Sequence, residues 1–263
     1  LSKTNSVLQG DGVSPLPHYT VIIPAYNEAS RIANAIRSAK NQQPKVEVIV
    51  ADGGSADGTP AMAGAEGARV VHSKRGRGIQ CNAGARLATA EILIFLHADT
   101  VLPENAFRLL HKYFANPDIR IATFRMQFDS AHWLLRIYAA FTRFDSLFTR
   151  FGDQCIVVRR SFFEEIGGFP DWPLFEDVHL LRGARRVTRI HSLPANVTTS
   201  ARRFTKLGLF RCQLFNSWLL LQYLLGVPPE RLAQKYQRYQ SRRIRRARKT
   251  TPLRNEAMES LKI

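Results

Sequence analysis

Four short apolar runs, each closed by polar or turn-forming residues, constrain this 263-residue chain more than any other feature. They are "YTVIIP", "VEVIVAD", "ARVVHS" and "EILIFLHAD", with helix-like segments between them. Runs this uniformly apolar and β-branched belong to strands buried on both faces. After the first run, "NEASRIANAIRSAKNQ" carries Ile32, Ala35, Ile36 and Ala39 at helical spacing. "GGSADGTP" is turn chemistry, with Pro60 suited to the first turn of a helix, and "GIQCNAGARLAT" reads as a closely packing small-residue helix. Strands alternating with helices predict an α/β fold: a mostly parallel sheet flanked by helices and joined by right-handed crossovers.

The alternation weakens after Asp99. "PENAFRLLHKYFAN", "AHWLLRIYAAFTRFDSLFTR" and "SFFEEIGGF" read as helices, and "IRIATFRMQF" and "DQCIVVRR" as strands. The second half is therefore expected to extend the same sheet and build an acceptor site. Residues 1–18 are polar, rich in Gly, Pro and Ser, and read as a flexible leader without a secretory signal pattern. One α/β domain is expected over 19–204, followed by a helical, basic extension over 205–263. Cys81, Cys155 and Cys212 have no metal-site spacing and read as free thiols of a reducing compartment.

Open parallel sheets bind ligands beyond the carboxyl ends of their strands. Those ends supply Pro24, Ala25, Tyr26, Asn27 and Glu28; then Asp52, Gly53, Gly54 and Ser55; then His97, Ala98 and Asp99. Asp52 can accept hydrogen bonds from a base or a ribose, or simply close an Asp-Gly turn with Asp57 or Thr59 capping the next helix. Asp99 suits a Mg2+ or Mn2+ ion that draws its other oxygens from a diphosphate. In an extended strand His97 would share its face, as a second ligand or a ribose contact. Lys74, Arg75 and Arg77 lie in a glycine-rich loop before a helix, where phosphate or base edges can be received. Glu176 and Asp177 begin a helical pattern; they either cap it or provide a general base for an acceptor hydroxyl.

Taken in order from about Thr20 to Arg186, these motifs resemble glycosyltransferase family 2, whose members have the GT-A fold. "VIIPAYNE" resembles the family's opening strand and nucleotide contact, and "VIVADGGSADGT" its base-binding turn. "RGRGIQCNAG" resembles a further family helix. "FLHADT" stands where the family has Asp-x-Asp, and "FEDVHL" where it has a Glu-Asp base motif. The "HADT" form, "TSARRF" and the tail also resemble a bacterial subgroup. The resemblance implies an inverting enzyme with a nucleoside-diphosphate sugar donor, UDP-linked most often, and a divalent metal, Mn2+ or Mg2+. It implies that Tyr26, Glu28, Asp52 and Arg77, with Pro24, Ala25, Gly53 and Ala98 alongside, hold the nucleotide. Asp99, with His97, would bind the metal, and Asp177, ahead of Glu176, would act as base. His97 departs from the family's first aspartate. "SARRF" lacks the tryptophan of processive synthases, so one sugar per event is expected, and Arg202 and Arg203 are candidates to face the diphosphate.

A net charge of +17 favours acidic partners. The apolar run Leu214 to Leu225 is shorter than the ~20 residues that span a bilayer. With the Arg-rich segment after it, the run predicts either peripheral contact with an anionic, inner-face membrane from the cytoplasm, or packing on the domain or on a second copy in a homodimer. The acceptor, lipid-linked or not, is unspecified. A sugar nucleotidyltransferase is disfavoured because "PAYNEAS" lacks that class's signature. A basic RNA- or membrane-binding protein with a non-catalytic transferase-like fold is the remaining rival, although no nucleic-acid motif accompanies the charge.

Overall fold

The computed structural model describes residues 18–141, 154–202 and 209–250. The leader, the remainder of the helix expected over 131–150, and Arg203 and Phe204 of "SARRF" lie outside them. The first half alternates as expected: β1 (Tyr19–Ala25), α1 (Ala29–Lys40), β2 (Glu47–Asp52), α2 (Thr59–Ala65), β3 (Arg69–His72), α3 (Arg77–Leu87) and β4 (Ile92–Phe95). Next come β5 (Thr100–Val101), α4 (Ala106–Phe114), β6 (Ile121–Phe128), α5 (Trp133–Phe141), β7 (Ile156–Arg159), α6 (Arg160–Glu165), α7 (Glu176–Arg185) and β8 (His191–Thr199). Two tail helices follow, α8 (Leu209–Leu224) and α9 (Pro229–Thr250).

All eight strands form one sheet in the order β3-β2-β1-β4-β7-β6-β8-β5. The β3-β2-β1-β4 half is parallel, β7 runs antiparallel to both β4 and β6, and β6 pairs parallel with β8. The sheet is thus mixed, and the second half does extend it. Ile32, Ala35, Ile36 and Ala39 of α1 are all buried, in one apolar layer with Val21, Ile23 and Ile94. Ile22, Leu93 and Phe95 point the other way, into a layer with Cys81, Phe162, Phe169 and Leu181. Alternate side chains of β1 and β4 therefore feed two cores, as doubly covered strands require.

Three features are not what the sequence pattern shows. β3 is an edge strand with no fully buried residue, so "ARVVHS" is half-covered rather than sandwiched. β8 carries no strand signal in the sequence because Pro194 interrupts it. The structure accommodates Pro194 by a register shift: Leu193 faces Phe124, and the next pair is Asn196 with Arg125. Third, β4 ends at Phe95, before His97. His97 to Thr100 form a turn closed by the Thr100 N–H donating to the His97 carbonyl at 3.1 Å. The face-sharing argument for His97 and Asp99 required an extended chain and does not apply.

Candidate functional site

The loops after β1 and β2 are stitched together. The first helical turn of α1 leaves N–H groups without intrahelical partners, and Glu28, its N-cap, offers no side-chain cap. The β2–α2 loop supplies the caps instead. Ser55 Oγ accepts from Asn27 N (2.9 Å), Thr59 Oγ1 from Glu28 N (2.8 Å) and Asp57 Oδ2 from Ala29 N (3.1 Å). Asn27 Oδ1 returns the favour by accepting from Ala56 N at 2.9 Å. Asn27 itself is left-handed, φ 55°, a conformation unusual outside glycine that Asn tolerates better than most. Asp57 and Thr59, expected to cap α2, serve the start of α1 instead: the α2 N-cap is Gly58, without a side-chain cap, although Asp57 Oδ1 also accepts from Thr59 N at 3.1 Å.

Asp52, at the tip of β2, is buried. Its Oδ2 accepts from the Gly54 and Ser55 N–H groups, each at 3.0 Å, while Oδ1 is buried without a hydrogen-bond partner. Burial pulls the carboxyl upward, but the Ser55 and Gly54 hydrogen bonds and the nearby His72 outweigh it and hold Asp52 below the usual carboxylate range. His72 Nδ1, from β3, lies 3.6 Å from Oδ2. A buried acceptor oxygen with nothing to accept is suited to a ligand donor.

Gln80 of α3 holds these tips in place. Its Nε2 donates to the carbonyls of Ala25 and Ala51, both at 2.7 Å, and Gly53 N donates to Ala25 O at 2.9 Å. A Cβ on Gly53 would stand 3.1 Å from Gln80 Nε2 and 3.3 Å from Arg75 Cα, so glycine lets the loop lie close. Gln80 belongs to no sequence pattern, and its role follows only from where α3 docks. Pro24 is half-buried. Arg75 lies over the ring of Tyr26, 3.9 Å from its centroid, at the rim.

Beyond β4, Ala98 turns its methyl into the core, leaving only its main chain for a ligand. His97 and Asp99 are half-buried. Arg202, just after β8, pairs with Glu28 Oε1, and the same Nη2 lies 3.6 Å from Asp99 Oδ2. Glu28 Oε2 is buried without a hydrogen-bond partner. Arg202 therefore links the β1 and β4 tips. Among the described residues no group of three or more His, Cys, Asp or Glu gathers to hold a metal. The donor set still fits Mg2+ or Mn2+, which need only one or two carboxylates when a diphosphate supplies further oxygens. Asp99 and Glu28, with its orphaned oxygen beside the same guanidinium, are the carboxylates that would bind the ion.

Helix α7 brings the remaining pair. Its N-cap, Phe175, is left-handed at φ 65°, a strained conformation for a bulky residue. Phe175 is held by stacking on Tyr223 of α8, centroids 4.9 Å apart. Glu176 and Asp177 follow, both buried, in the first turn, where the helix dipole favours anions. Arg77, first residue of α3, sets Nε 3.3 Å from Glu176 Oε1 and Nη1 3.9 Å from Asp177 Oδ2. The Glu176 contact is an ion pair rather than an aligned hydrogen bond. Arg77, expected at the nucleoside, thus also neutralises the candidate base pair. Gly78 makes the approach of α3 possible: a Cβ there would meet Pro170 O at 2.4 Å and Glu176 Cβ at 3.4 Å. Burial, then the Asp177 charge, push the Tyr223 hydroxyl above its ordinary pKa against the pull of Arg182.

The eight-stranded mixed sheet with flanking helices has the GT-A architecture of glycosyltransferases. Residues 20–167 match the Glycosyl transferase family 2 profile, and the chain belongs to that family. A relative, the 4,4'-diaponeurosporenoate glycosyltransferase of Staphylococcus haemolyticus, is 34% identical over 110 residues, covering 38% of this chain and 29% of that protein. The chain spans less than a third of the length of the curated relatives it matches. The mannosyltransferase PcManGT of Pyrobaculum calidifontis, solved with GDP-Man and Mn2+, superposes with a TM-score of 0.61 at 22% identity, covering 82% of this chain and 67% of that one. TarS of S. aureus, solved with UDP-GlcNAc, gives 0.57 at 17% identity, covering 70% and 58%. At these identities the likeness concerns the fold.

Proposed function

We propose that the protein transfers one sugar from a nucleoside-diphosphate sugar, UDP-linked, to an acceptor hydroxyl, inverting the anomeric carbon. The observation that carries this reading is the buried, unpartnered Asp52 Oδ1 at a strand tip that Gln80 joins to α3, whose first residue, Arg77, meets Glu176 and Asp177. GDP-Man and UDP-GlcNAc in the structural neighbours support a nucleotide-sugar donor. In this reading Asp52 accepts from the base, Tyr26 and Arg75 flank it, and the Pro24–Ala25 and Gly53 backbone shapes the floor. Asp99, with Glu28 or His97 completing the set, would hold Mn2+ or Mg2+, which supplies countercharge for the departing diphosphate. Asp177 accepts the acceptor's hydroxyl proton. The acceptor oxygen then bonds to the anomeric carbon as the bond to phosphate breaks, and the nucleoside diphosphate leaves with the electron pair. Glu176 keeps Arg77 in place beside the base.

The test is release of free nucleotide from UDP-sugars with Mn2+ present. Release lost in Asp99→Ala supports the enzyme. Release from none of the UDP-, GDP- or dTDP-sugars, together with RNA binding at physiological salt, would replace it with the basic binding-protein reading.

We infer also a peripheral site of action, on the cytoplasmic face of an anionic membrane, reached by α8. Leu214, Trp218, Leu221 and Leu225 are 57%, 47%, 51% and 75% exposed, and their spacing of four, three and four residues puts them along one stripe. The other side of α8 is buried: Leu219, Leu220 and Tyr223 pack with Val178 and Leu232. Helix α8 has no acidic residue, α9 has only Glu230 among its many Arg and Lys, and Lys235 Nζ sits 5.1 Å over the Trp218 ring. An apolar stripe edged with cations suits an anionic interface. No helix of the described residues is long and apolar enough to cross a membrane. Flotation with phosphatidylglycerol vesicles that is lost in Trp218→Glu supports this reading. Concentration-dependent dimerisation without flotation would assign the stripe to a second copy.

A further inference from the structure

Arg202 stands where the expected metal ligand is. Its Nη2 pairs with Glu28 and lies 3.6 Å from Asp99. These carboxylates come from different strand tips, and both side chains are largely shielded, 17% and 23% exposed. One guanidinium nitrogen faces both carboxylates and offsets their charge. The backbone of this segment is anchored: Ala201 N donates to Asp129 Oδ1 at 2.7 Å and Arg202 N to Ser200 Oγ at 3.4 Å. The guanidinium, on a long flexible arm, is the element able to move.

We propose that Arg202 is the internal counter-ion of the donor site, guarding Asp99 until a nucleoside diphosphate arrives with its divalent ion. This rests on the donor reading above and adds how the site loads. The two carboxylates outweigh the single guanidinium by one negative charge. A divalent ion entering alone would compete with the guanidinium for Asp99 and leave the cluster with excess positive charge. A divalent ion entering with a diphosphate restores the balance, and the displaced guanidinium then has phosphate oxygens to fork onto. Metal and nucleotide consequently load together, and Arg202 is the residue that couples them; it is a positioning residue, not a proton carrier.

The coupling is a measurable, reciprocal quantity. Mn2+ binding to the full chain is followed by electron paramagnetic resonance, with and without UDP, in the wild type and in Arg202→Gln, Arg202→Lys and the Arg202→Gln/Asp99→Asn double variant. Arg202→Gln binds Mn2+ alone about fivefold to tenfold more tightly than wild type, in keeping with a partly exposed charge pair. The same variant binds UDP with Mn2+ more weakly, so the gain in metal affinity caused by UDP shrinks. Arg202→Lys, which keeps the charge, retains most of the coupling. Adding Asp99→Asn removes the metal affinity that Arg202→Gln gained. Equal Mn2+ affinity in wild type and Arg202→Gln, with UDP binding intact in both, overturns the counter-ion role and leaves the donor reading standing. A wild type that binds neither UDP nor Mn2+ overturns both.

Discussion

Replacing Gln80 with leucine tests whether one buried amide sets the geometry of the nucleotide edge. The side chain is 4% exposed, and its Nε2 gives two 2.7 Å hydrogen bonds, to Ala25 O and Ala51 O. Leucine fills a similar volume but donates nothing. The Ala25 carbonyl keeps its bond from Gly53 N, so its loss is that of one net hydrogen bond, about 1 kcal/mol. The Ala51 carbonyl lies in a fully buried residue; losing its amide partner there costs about 1–3 kcal/mol. The sum is a destabilisation of about 2–4 kcal/mol, read by urea denaturation at constant m-value. Because the lost bonds tie the tips of β1 and β2 together, UDP affinity should fall as well, even though Gln80 lies beneath the loop. A Gln80→Leu protein within about 0.5 kcal/mol of wild type, with unchanged UDP binding, would refute the reasoning.

Other outcomes follow from the same geometry. Gly78→Ala puts a methyl 2.4 Å from a backbone oxygen and should cost about 1–3 kcal/mol by overpacking, with a lower turnover because the strained seam carries Glu176; chemical denaturation and a nucleotide-release assay check both. Asp177→Asn should lower kcat by about 10²–10⁴-fold with donor KM little changed, whereas Glu176→Gln should act mainly by loosening Arg77 and cost less. On pH, Glu47 sits below the usual carboxylate range: burial raises it, but hydrogen bonds from Thr20 and Thr89 and the Arg69 charge prevail, and Asp52 behaves likewise. A carboxyl whose folded-state pKa is depressed adds stability above its unfolded pKa, about 4, and loses it as pH falls through the folded value. Stability should therefore decline below about pH 4, and Glu47→Gln should flatten that decline in denaturation curves.

The parallel half of the fold was legible because its strands and α1 announce themselves by period and composition: all four apolar positions predicted for α1 are buried. The carboxyl-edge residues were legible as a set, since polar residues repeatedly terminate apolar strands. The rest was written in contacts that no local pattern encodes. Pro194 hid β8, because a bulge absorbs it only when β6 is alongside. The turn after Phe95 leaves no local mark, because "LHAD" continues an apolar run without a glycine or proline. Gln80 looks like any helical polar residue until two strand ends are found above it. The pairing of Arg77 with Glu176 and Asp177 spans about a hundred positions of sequence, and it depends on Gly78 letting two helices touch.

Helix α7 serves two interiors at once. Leu180, Leu181 and Ala184 belong to the layer beneath the sheet, whereas Val178 belongs to the cluster formed with the tail helices. The tail is thus a buttress rather than an appendage. Shortening the protein before residue 209 would strip Val178 and Phe175 of their cover and release the left-handed cap that aims Glu176 and Asp177. A minimal catalytic fragment cut at the end of the sheet would keep every motif and lose the aim of its carboxylates.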